Sequence, residues 1–385
     1  MDIIRRIENA EDKPLNIVKN KNYKKRILVT GGCGFIGSNF IRMMVPKYKD
    51  YLFVNFDALT YAGNLENLSD VKSHNYEFFK GDIRNINDIE KAFSEFGITD
   101  VIHFAAESHV DRSIIDPNCF AETNIIGTLN LLNVAKEYWK KDYSKSRFHH
   151  ISTDEVFGAL DKNPKNQFNE KTPYNPHSPY SASKASSDFF VRAYHDTYGM
   201  NVTISNCSNN YGPYQFPEKL IPLVINNIQE RKEIPIYGKG DNIRDWLYVE
   251  DHVRAIDLIF HKGKSGKSYC IGGNCEKTNL EIIDSLIIGY VNLYDKKHGL
   301  SYEEHHNSIN HLMSLKKFVS DRKGHDFRYA IDYSKIKNEL GWEPKISFKD
   351  GITKTLEWYI DHYQWNQNCL NGSYRDYYDK IYGNR

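Results

Sequence analysis

The run Arg26-Ile27-Leu28-Val29-Thr30 leads directly into Gly31-Gly32-Cys33-Gly34-Phe35-Ile36-Gly37 and then into an apolar helical pattern over 35–44. No other feature constrains the fold as strongly. Gly31 permits a tight turn, Gly34 lets backbone amides approach a pyrophosphate, and Gly37 lets the helix settle against the strand, its N-terminus favouring the anion. Asp57 ends the next strand pattern, 20 residues after Gly37, where a carboxylate accepts hydrogen bonds from a ribose diol. The same carboxylate repels a 2′-phosphate, so the expected dinucleotide is NAD rather than NADP. Phe35 and Ile36 belong to the same cofactor turn.

Beyond that turn, short β-branched runs alternate with longer helical stretches: 27–30, 35–44, 51–56, 101–105, 120–139 and 148–152. This order predicts an α/β fold with a doubly wound parallel sheet. Ligands bind such sheets beyond the strand ends, which nominates Asp82 and Ile83 after the third strand and Ala105 and Ala106 after the fourth. After residue 205 the chain grows richer in Pro, Gly and Asn, as suits a smaller C-terminal α/β substrate lobe. Residues 1–24 read as an extension, 25–205 mainly as the dinucleotide-binding part, and 206–385 mainly as the lobe, with some segments returning to the sheet. A short helix before 340–342 and a terminal helix over 348–359 complete the reading.

The 385 residues carry 51 Lys plus Arg against 50 Asp plus Glu, a net charge of +1, so no single-sign field draws in nucleic acid or an anionic membrane. At 40% apolar and 14% aromatic the chain is too rich for disorder, and its apolar runs fall short of the roughly 18 residues a membrane span needs. The six cysteines show no CxxC pair, and Arg5, Arg6, Glu8, Glu11, Asp12 and Lys13 interrupt any signal-like apolar segment. A cytoplasmic protein with reduced thiols is expected.

Tyr180 and Lys184 stand four residues apart in a stretch of helix formers after Pro179, so they share a helix face. An ammonium near the phenol is expected to lower its pKa from about 10 and make Tyr180 a usable base or acid. Ser152 and Thr153, at the end of a strand, join the pair.

At this point the chain resembles the extended short-chain dehydrogenase/reductase superfamily, and within it the dTDP-glucose 4,6-dehydratase family. The resemblance rests on Ser152-Thr153-Asp154-Glu155-Val156-Phe157-Gly158, on Asn55-Phe56-Asp57-Ala58-Leu59-Thr60-Tyr61-Ala62-Gly63-Asn64-Leu65 and on Ala105-Ala106-Glu107-Ser108-His109-Val110-Asp111-Arg112-Ser113. Asn206-Cys207-Ser208-Asn209-Asn210-Tyr211-Gly212-Pro213 and Ile243-Arg244-Asp245-Trp246-Leu247-Tyr248-Val249-Glu250-Asp251 extend it, over about residues 25 to 360. It implies a Rossmann-type sheet and a reaction in three steps. The sugar is oxidised at C4, water is eliminated across C5 and C6, and the hydride returns to C6, giving a 4-keto-6-deoxy sugar with no net use of a tightly held NAD.

By this resemblance the catalytic residues are Thr153, Asp154, Glu155, Tyr180 and Lys184, with Glu155 removing the C5 proton and Asp154 protonating the departing oxygen. Two adjacent carboxyls with opposite duties need pKa values pushed apart by their surroundings. Ser108, Ser152 and Asn210 join the NAD contacts. Substrate contacts fall to Ser108, Thr153, Asn209, Lys219, Leu220, Arg244, Asn279, Arg322, His325 and Tyr329, which offer cations and amides to a nucleoside diphosphate. A homodimer is implied, joined through the helix bearing Tyr180 and the one over 120–139, and so is a place in rhamnose-type deoxysugar synthesis. The chain departs from the family pattern at its N-terminal extension, at Lys323 where proline is usual, and in a longer segment over 300–318. That segment carries His305, His306 and His311 without ligand spacing, so no metal is assigned and a solvated loop is expected. His149, His150, Cys270 and Cys275 likewise lack a site-like partner set. The competing readings are the same reaction on UDP-glucose, since one methyl separates uracil from thymine, and a noncatalytic NAD-binding scaffold, which has no use for five intact catalytic residues.

Overall fold

The structure is a computed structural model that describes residues 22–321 and 324–370. The N-terminal extension up to residue 21, Arg322 and Lys323 lie outside the described residues. Seven strands form one sheet with every pairing parallel, in the spatial order Lys267–Ile271, Val202–Cys207, Arg147–Thr153, Asp100–His103, Lys25–Thr30, Tyr51–Asp57 and Tyr76–Lys80. They are β1 (Lys25–Thr30), β2 (Tyr51–Asp57), β3 (Tyr76–Lys80), β4 (Asp100–His103), β5 (Arg147–Thr153), β6 (Val202–Cys207) and β10 (Lys267–Ile271). Their near-continuous burial is what a sheet covered on both faces demands.

One face is covered by helices Ile86–Phe96, Gly127–Trp139 and Pro179–Tyr198, where Phe93, Leu131, Trp139 and Val191 meet Leu28, Val54 and Phe148. The other face lies under helices Phe35–Lys47 and Val249–Lys262, with Phe40, Ile41, Val253 and Ile256 against Ile27, Val29 and Phe53. After residue 205 the chain therefore returns to the sheet through the helix Val249–Lys262 and β10.

The remaining C-terminal elements have their own core. Helices Leu220–Gln229, Asn279–His298 and Phe348–Asp361 bury Val224, Ile225, Ile283, Leu286 and Leu356 against Trp246 and Tyr248 of β9 (Ile243–Tyr248). The expected solvated loop at 300–318 is instead a helix, Tyr302–Ser314, followed by β12 (Lys316–Val319), which pairs in parallel with β8 (Ile234–Tyr237). A reciprocal cap between Ser301 and Glu304 starts that helix, and Leu312 anchors it in the core. The helix over 348–359 is not the last one either, because Tyr363–Cys369 follows and ties back to the short 3-10 turn Leu65–Leu68 after β2 through Trp365 Nε1 donating to Asn67 Oδ1 at 2.9 Å. No helix among the described residues is long and apolar enough to cross a membrane.

Candidate active site

Strand order reverses between β1 and β4, so the loops leaving those two strands part and open a crevice. The glycine turn sits there. Gly31 has φ +70°, and a Cβ on it would lie 2.7 Å from the Ala105 backbone. A Cβ on Gly37 would lie 2.3 Å from the Gly31 carbonyl oxygen, so the helix Phe35–Lys47 can approach the turn only with glycine there. Asp57 is held at the end of β2 by the amides of Cys33 and Leu59, both 2.8 Å from its carboxylate, and burial raises its pKa against those bonds.

The cleft at this point is lined by Gly31, Gly34, Phe35, Ile36, Gly37, Asp57, Asp82, Ile83, Ala105, Ala106, Ser108, Ser152, Tyr180, Lys184 and Asn210. All fifteen expected cofactor positions therefore share one cleft. Its shape fits a dinucleotide, because a side chain on Gly31 or Gly37 would collide with backbone while Gly34 lies on the open lining. Asp82 is also engaged by a partner not anticipated from sequence, the Arg84 guanidinium at 2.6–3.1 Å.

Tyr180 and Lys184 lie in the first turns of the helix Pro179–Tyr198, which starts with proline and a reciprocal cap between Ser178 and Ser181. Both side chains are buried. At the end of β5, Thr153 caps a short 3-10 turn, Asp154–Phe157, by accepting from the Glu155 amide at 3.2 Å. The Thr153 side chain stands beside the Tyr180 phenol, where it opposes the rise in the phenol's pKa, and its Oγ1 lies 3.3 Å from Asp154 Oδ1. Burial, reinforced by the Glu155 charge, pushes the Asp154 carboxyl well above its ordinary value. Asp154 Oδ2 is buried with no hydrogen-bond partner. A neutral carboxylic acid beside a second carboxyl is the arrangement that separates a proton donor from a proton acceptor.

The expected lowering of the Tyr180 phenol by Lys184 does not hold. Burial raises it well above 10, and Glu155 and Cys207 add to the rise. The Lys184 ammonium points instead to the Ile151 carbonyl at 2.8 Å and to His150 Nε2 at 3.4 Å. His150 thus has a site-like partner after all, contrary to the reading of the His149-His150 pair.

A second cleft adjoins the first, and Ser108, Glu155, Asn209, Asn210 and Lys219 line both. It gathers Leu220, Arg244, Asn279, His325 and Tyr329. Thr153 lies on the cofactor-side cleft, and Arg322 falls outside the described residues. The Arg244 guanidinium donates to the Asp326 and Phe327 carbonyls at 2.9 and 3.2 Å and stacks 4.2 Å from the Tyr329 ring centre. Lys219 Nζ donates to the Ser108 carbonyl at 2.8 Å, and His325 lies 2.7 Å from Asp321. Asn209 Oδ1 and Gln215 Oε1 are buried on the lining without a partner, which fits a polar ligand.

Residues 28–355 match the family model described as GDP-mannose 4,6 dehydratase. The dTDP-glucose 4,6-dehydratase of Salmonella typhimurium is 49% identical over 372 residues, covering 94% of this chain and 99% of its own. The chain belongs to the dTDP-glucose 4,6-dehydratase family. A solved dTDP-glucose 4,6-dehydratase from Bacillus anthracis, in complex with NAD, is 44% identical with a TM-score of 0.76, covering 90% of this chain and 99% of that one. The solved UDP-glucose 4-epimerase of Thermotoga maritima, at 29% identity and TM-score 0.73 over 87% of this chain and 99% of its own, has a similar fold. The likeness to an epimerase means that fold alone does not choose the reaction, and the carboxyl pair must be argued separately.

Several residues that hold this dehydratase-family site were not legible in the sequence. A π-helical turn over Ala121–Ile126 interrupts the long helix and buries Asn124, whose amide donates to Ser183 Oγ at 2.8 Å and to the Glu107 carbonyl at 3.0 Å. Glu218, buried between the Tyr61 phenol at 2.9 Å and Arg112 Nε at 3.3 Å, lines both clefts. No local spacing marks either residue.

Proposed function

We propose that this chain is an NAD-dependent hydro-lyase that converts dTDP-glucose to dTDP-4-keto-6-deoxyglucose, with Thr153, Asp154, Glu155, Tyr180 and Lys184 as its catalytic residues. The observation that carries the reading is Asp154-Glu155 beside Tyr180, where the two clefts meet, with burial and the Glu155 charge pushing the Asp154 carboxyl up toward its protonated form. An epimerase or a scaffold has no use for such a pair. The relatives named dTDP-glucose 4,6-dehydratase favour the thymine nucleotide over the uracil one.

NAD, when bound in the cleft at the glycine turn, accepts hydride from C4 and returns it to C6. Tyr180, acting in its phenolate form, takes the proton of the C4 hydroxyl while Thr153 holds that oxygen. The C4 ketone acidifies C5, Glu155 removes the C5 proton, and Asp154 gives its proton to the departing C6 oxygen, which leaves as water; as hydride returns to C6, Glu155 gives its proton back to C5. Asn209, Lys219, Arg244, Asn279, His325 and Tyr329 receive the nucleoside diphosphate in the second cleft, with Arg322 as a further contact.

Residues 25–205 serve mainly as the NAD-binding part and 206–385 mainly as the nucleotide-sugar lobe. A homodimer fits the apolar side chains left outward on the Tyr180 helix and its neighbours, Ile115, Ile126, Tyr138, Phe189, Phe190 and Tyr198. Six unpaired thiols suit a cytoplasmic setting, and the product suits 6-deoxysugar synthesis. The test is incubation of the purified protein with dTDP-glucose and with UDP-glucose, without added NAD, following loss of one water by mass. Faster turnover of dTDP-glucose is expected. No loss of water from either sugar, even with NAD added, overturns the reading.

A further inference from the structure

The helical stripe that carries Tyr180 and Lys184 continues one step further, to Asp188 at the same spacing. Asp188 is fully buried, and no step above uses it. Its Oδ2 accepts from the Tyr174 phenol at 2.7 Å, Ser152 Oγ at 2.9 Å and the Asn206 amide at 3.2 Å. Its Oδ1 lies 3.3 Å from His150 Nε2, and that same ring nitrogen lies 3.4 Å from Lys184 Nζ. One imidazole nitrogen therefore stands between an ammonium and a carboxylate. It can accept a proton bond from Lys184 or donate one to Asp188, but not both at once. His150 is itself fully buried, and its Nδ1 has no hydrogen-bond partner.

We propose that Asp188, with His150 between them, is the buried counterion that keeps Lys184 protonated, and is thus a positioning residue for the Tyr180–Lys184 pair. The inference rests on the reading of those two residues as catalytic. A buried carboxylate is costly even with three hydrogen bonds, and a cation close by lowers that cost. The groups that face this cluster are few. His103 on β4, with its ring centre 5.2 Å from that of His150, is fully buried and held neutral by that burial. His150 is held down to about 4 by burial and by Lys184, against Asp188. On β6, burial raises the Cys207 thiol and keeps it neutral; burial does the same for Tyr180 on the helix and for Tyr174 beside Asp188. Arg192 reaches the cluster only through the Tyr174 phenol, 2.6 Å from its Nη2. Lys184 is the cation left inside. Burial alone would also neutralise it, and the Asp188 charge opposes this and leaves its pKa lowered only to about 8. Burial likewise disfavours the Asp188 charge, but His150, Lys184 and Tyr174 outweigh it and hold the carboxyl below its ordinary value.

The test titrates Lys184 directly, by the carbon resonance of its ε-methylene in NAD-loaded protein labelled with 13C-lysine, assigned by its loss in Lys184→Arg. In the unaltered protein the midpoint is expected near 8, and a midpoint in the range of about 5–6 found for uncompensated buried lysines overturns the proposal. Asp188→Asn is expected to move the midpoint down by about one unit or more, with Asp188→Glu restoring most of it. An unmoved midpoint in Asp188→Asn also overturns the proposal. If Asp188→Asn does not fold, the midpoint of the unaltered protein decides alone. The alkaline limb of kcat/KM for dTDP-glucose is expected to move down with the lysine. A protein that fails to turn over that sugar refutes the dehydratase reading, while the titration still decides the role of Asp188.

Discussion

The two clefts that meet at Glu155 are built in opposite ways. The one at the glycine turn draws many glycine, alanine, serine and threonine residues from contiguous runs at the ends of β1, β2, β3, β4, β5 and β6. The other combines long polar side chains, Lys219, Arg244, Asn279 and those of the 324–329 segment, with apolar ones such as Leu220, Ile221 and Trp246. A pyrophosphate held by amides needs the chain to come close, which constrains backbone shape. A nucleoside diphosphate held by guanidinium, ammonium and amide groups needs reach, which constrains only side-chain type. The first cleft should therefore fail abruptly when altered, and the second should fail by degrees.

Gly37→Val offers the sharpest break. Its Cβ would lie 2.3 Å from the Gly31 carbonyl oxygen, so the turn and helix cannot both keep their places. The expected result is protein without retained NAD and without turnover, read from the cofactor released on denaturation. Retention of NAD by this variant would remove the distinction between the clefts. Next comes Tyr180→Phe, which keeps the ring and loses the proton-carrying oxygen. Turnover is expected to fall about 10²- to 10⁴-fold with NAD content unchanged. Glu155→Gln is expected to separate the steps, leaving C4 oxidation in place, seen as NADH absorbance on adding sugar, while no dehydrated product forms. Normal product from it would refute Glu155 as the base.

That contrast also governs what could be read without a structure. The glycine turn, Asp57 and the Tyr180–Lys184 pair were legible because each is a local pattern, a turn or one helix face. Asn124, Glu218 and the pairing of His150 with Asp188 were not, since each depends on which distant element is packed opposite. The helix Tyr302–Ser314 reads as a loop in the sequence because its His- and Asn-rich composition hides a sparse apolar face, Ile309, Leu312 and Met313, behind the Ser301–Glu304 cap. The sequence predicts the wrong sign for the Tyr180 shift because the i,i+4 spacing places two side chains on one face without saying where the ammonium points.

In the second cleft, Arg244→Met should act by degrees. A charge-assisted hydrogen bond lost to the substrate is worth about 1.5–3 kcal/mol, so KM should rise about 10- to 100-fold while NAD content stays the same. An equal fall in kcat with KM unchanged would place Arg244 in the reacting centre instead.

The smallest effect is one of stability, and it tests the acid of the carboxyl pair. Asp154 is raised well above its ordinary value, first by burial and then by the Glu155 charge. In the unfolded chain the same group ionises near about 4. Between those two values the folded protein binds the extra proton, so stability falls as pH rises, by up to about 1.4 kcal/mol per unit for this one group. The contribution is fully present below the unfolded value and is lost as pH rises toward the raised folded one. Asp154→Asn places a neutral isostere there and removes the slope. The melting temperature of the variant should therefore gain on that of the parent as pH climbs from acid to neutral, even though the variant cannot protonate the C6 oxygen and turns over poorly. A constant difference across that window would mean that Asp154 is already ionised in the folded protein, and the assignment of acid and base within the pair would have to be exchanged.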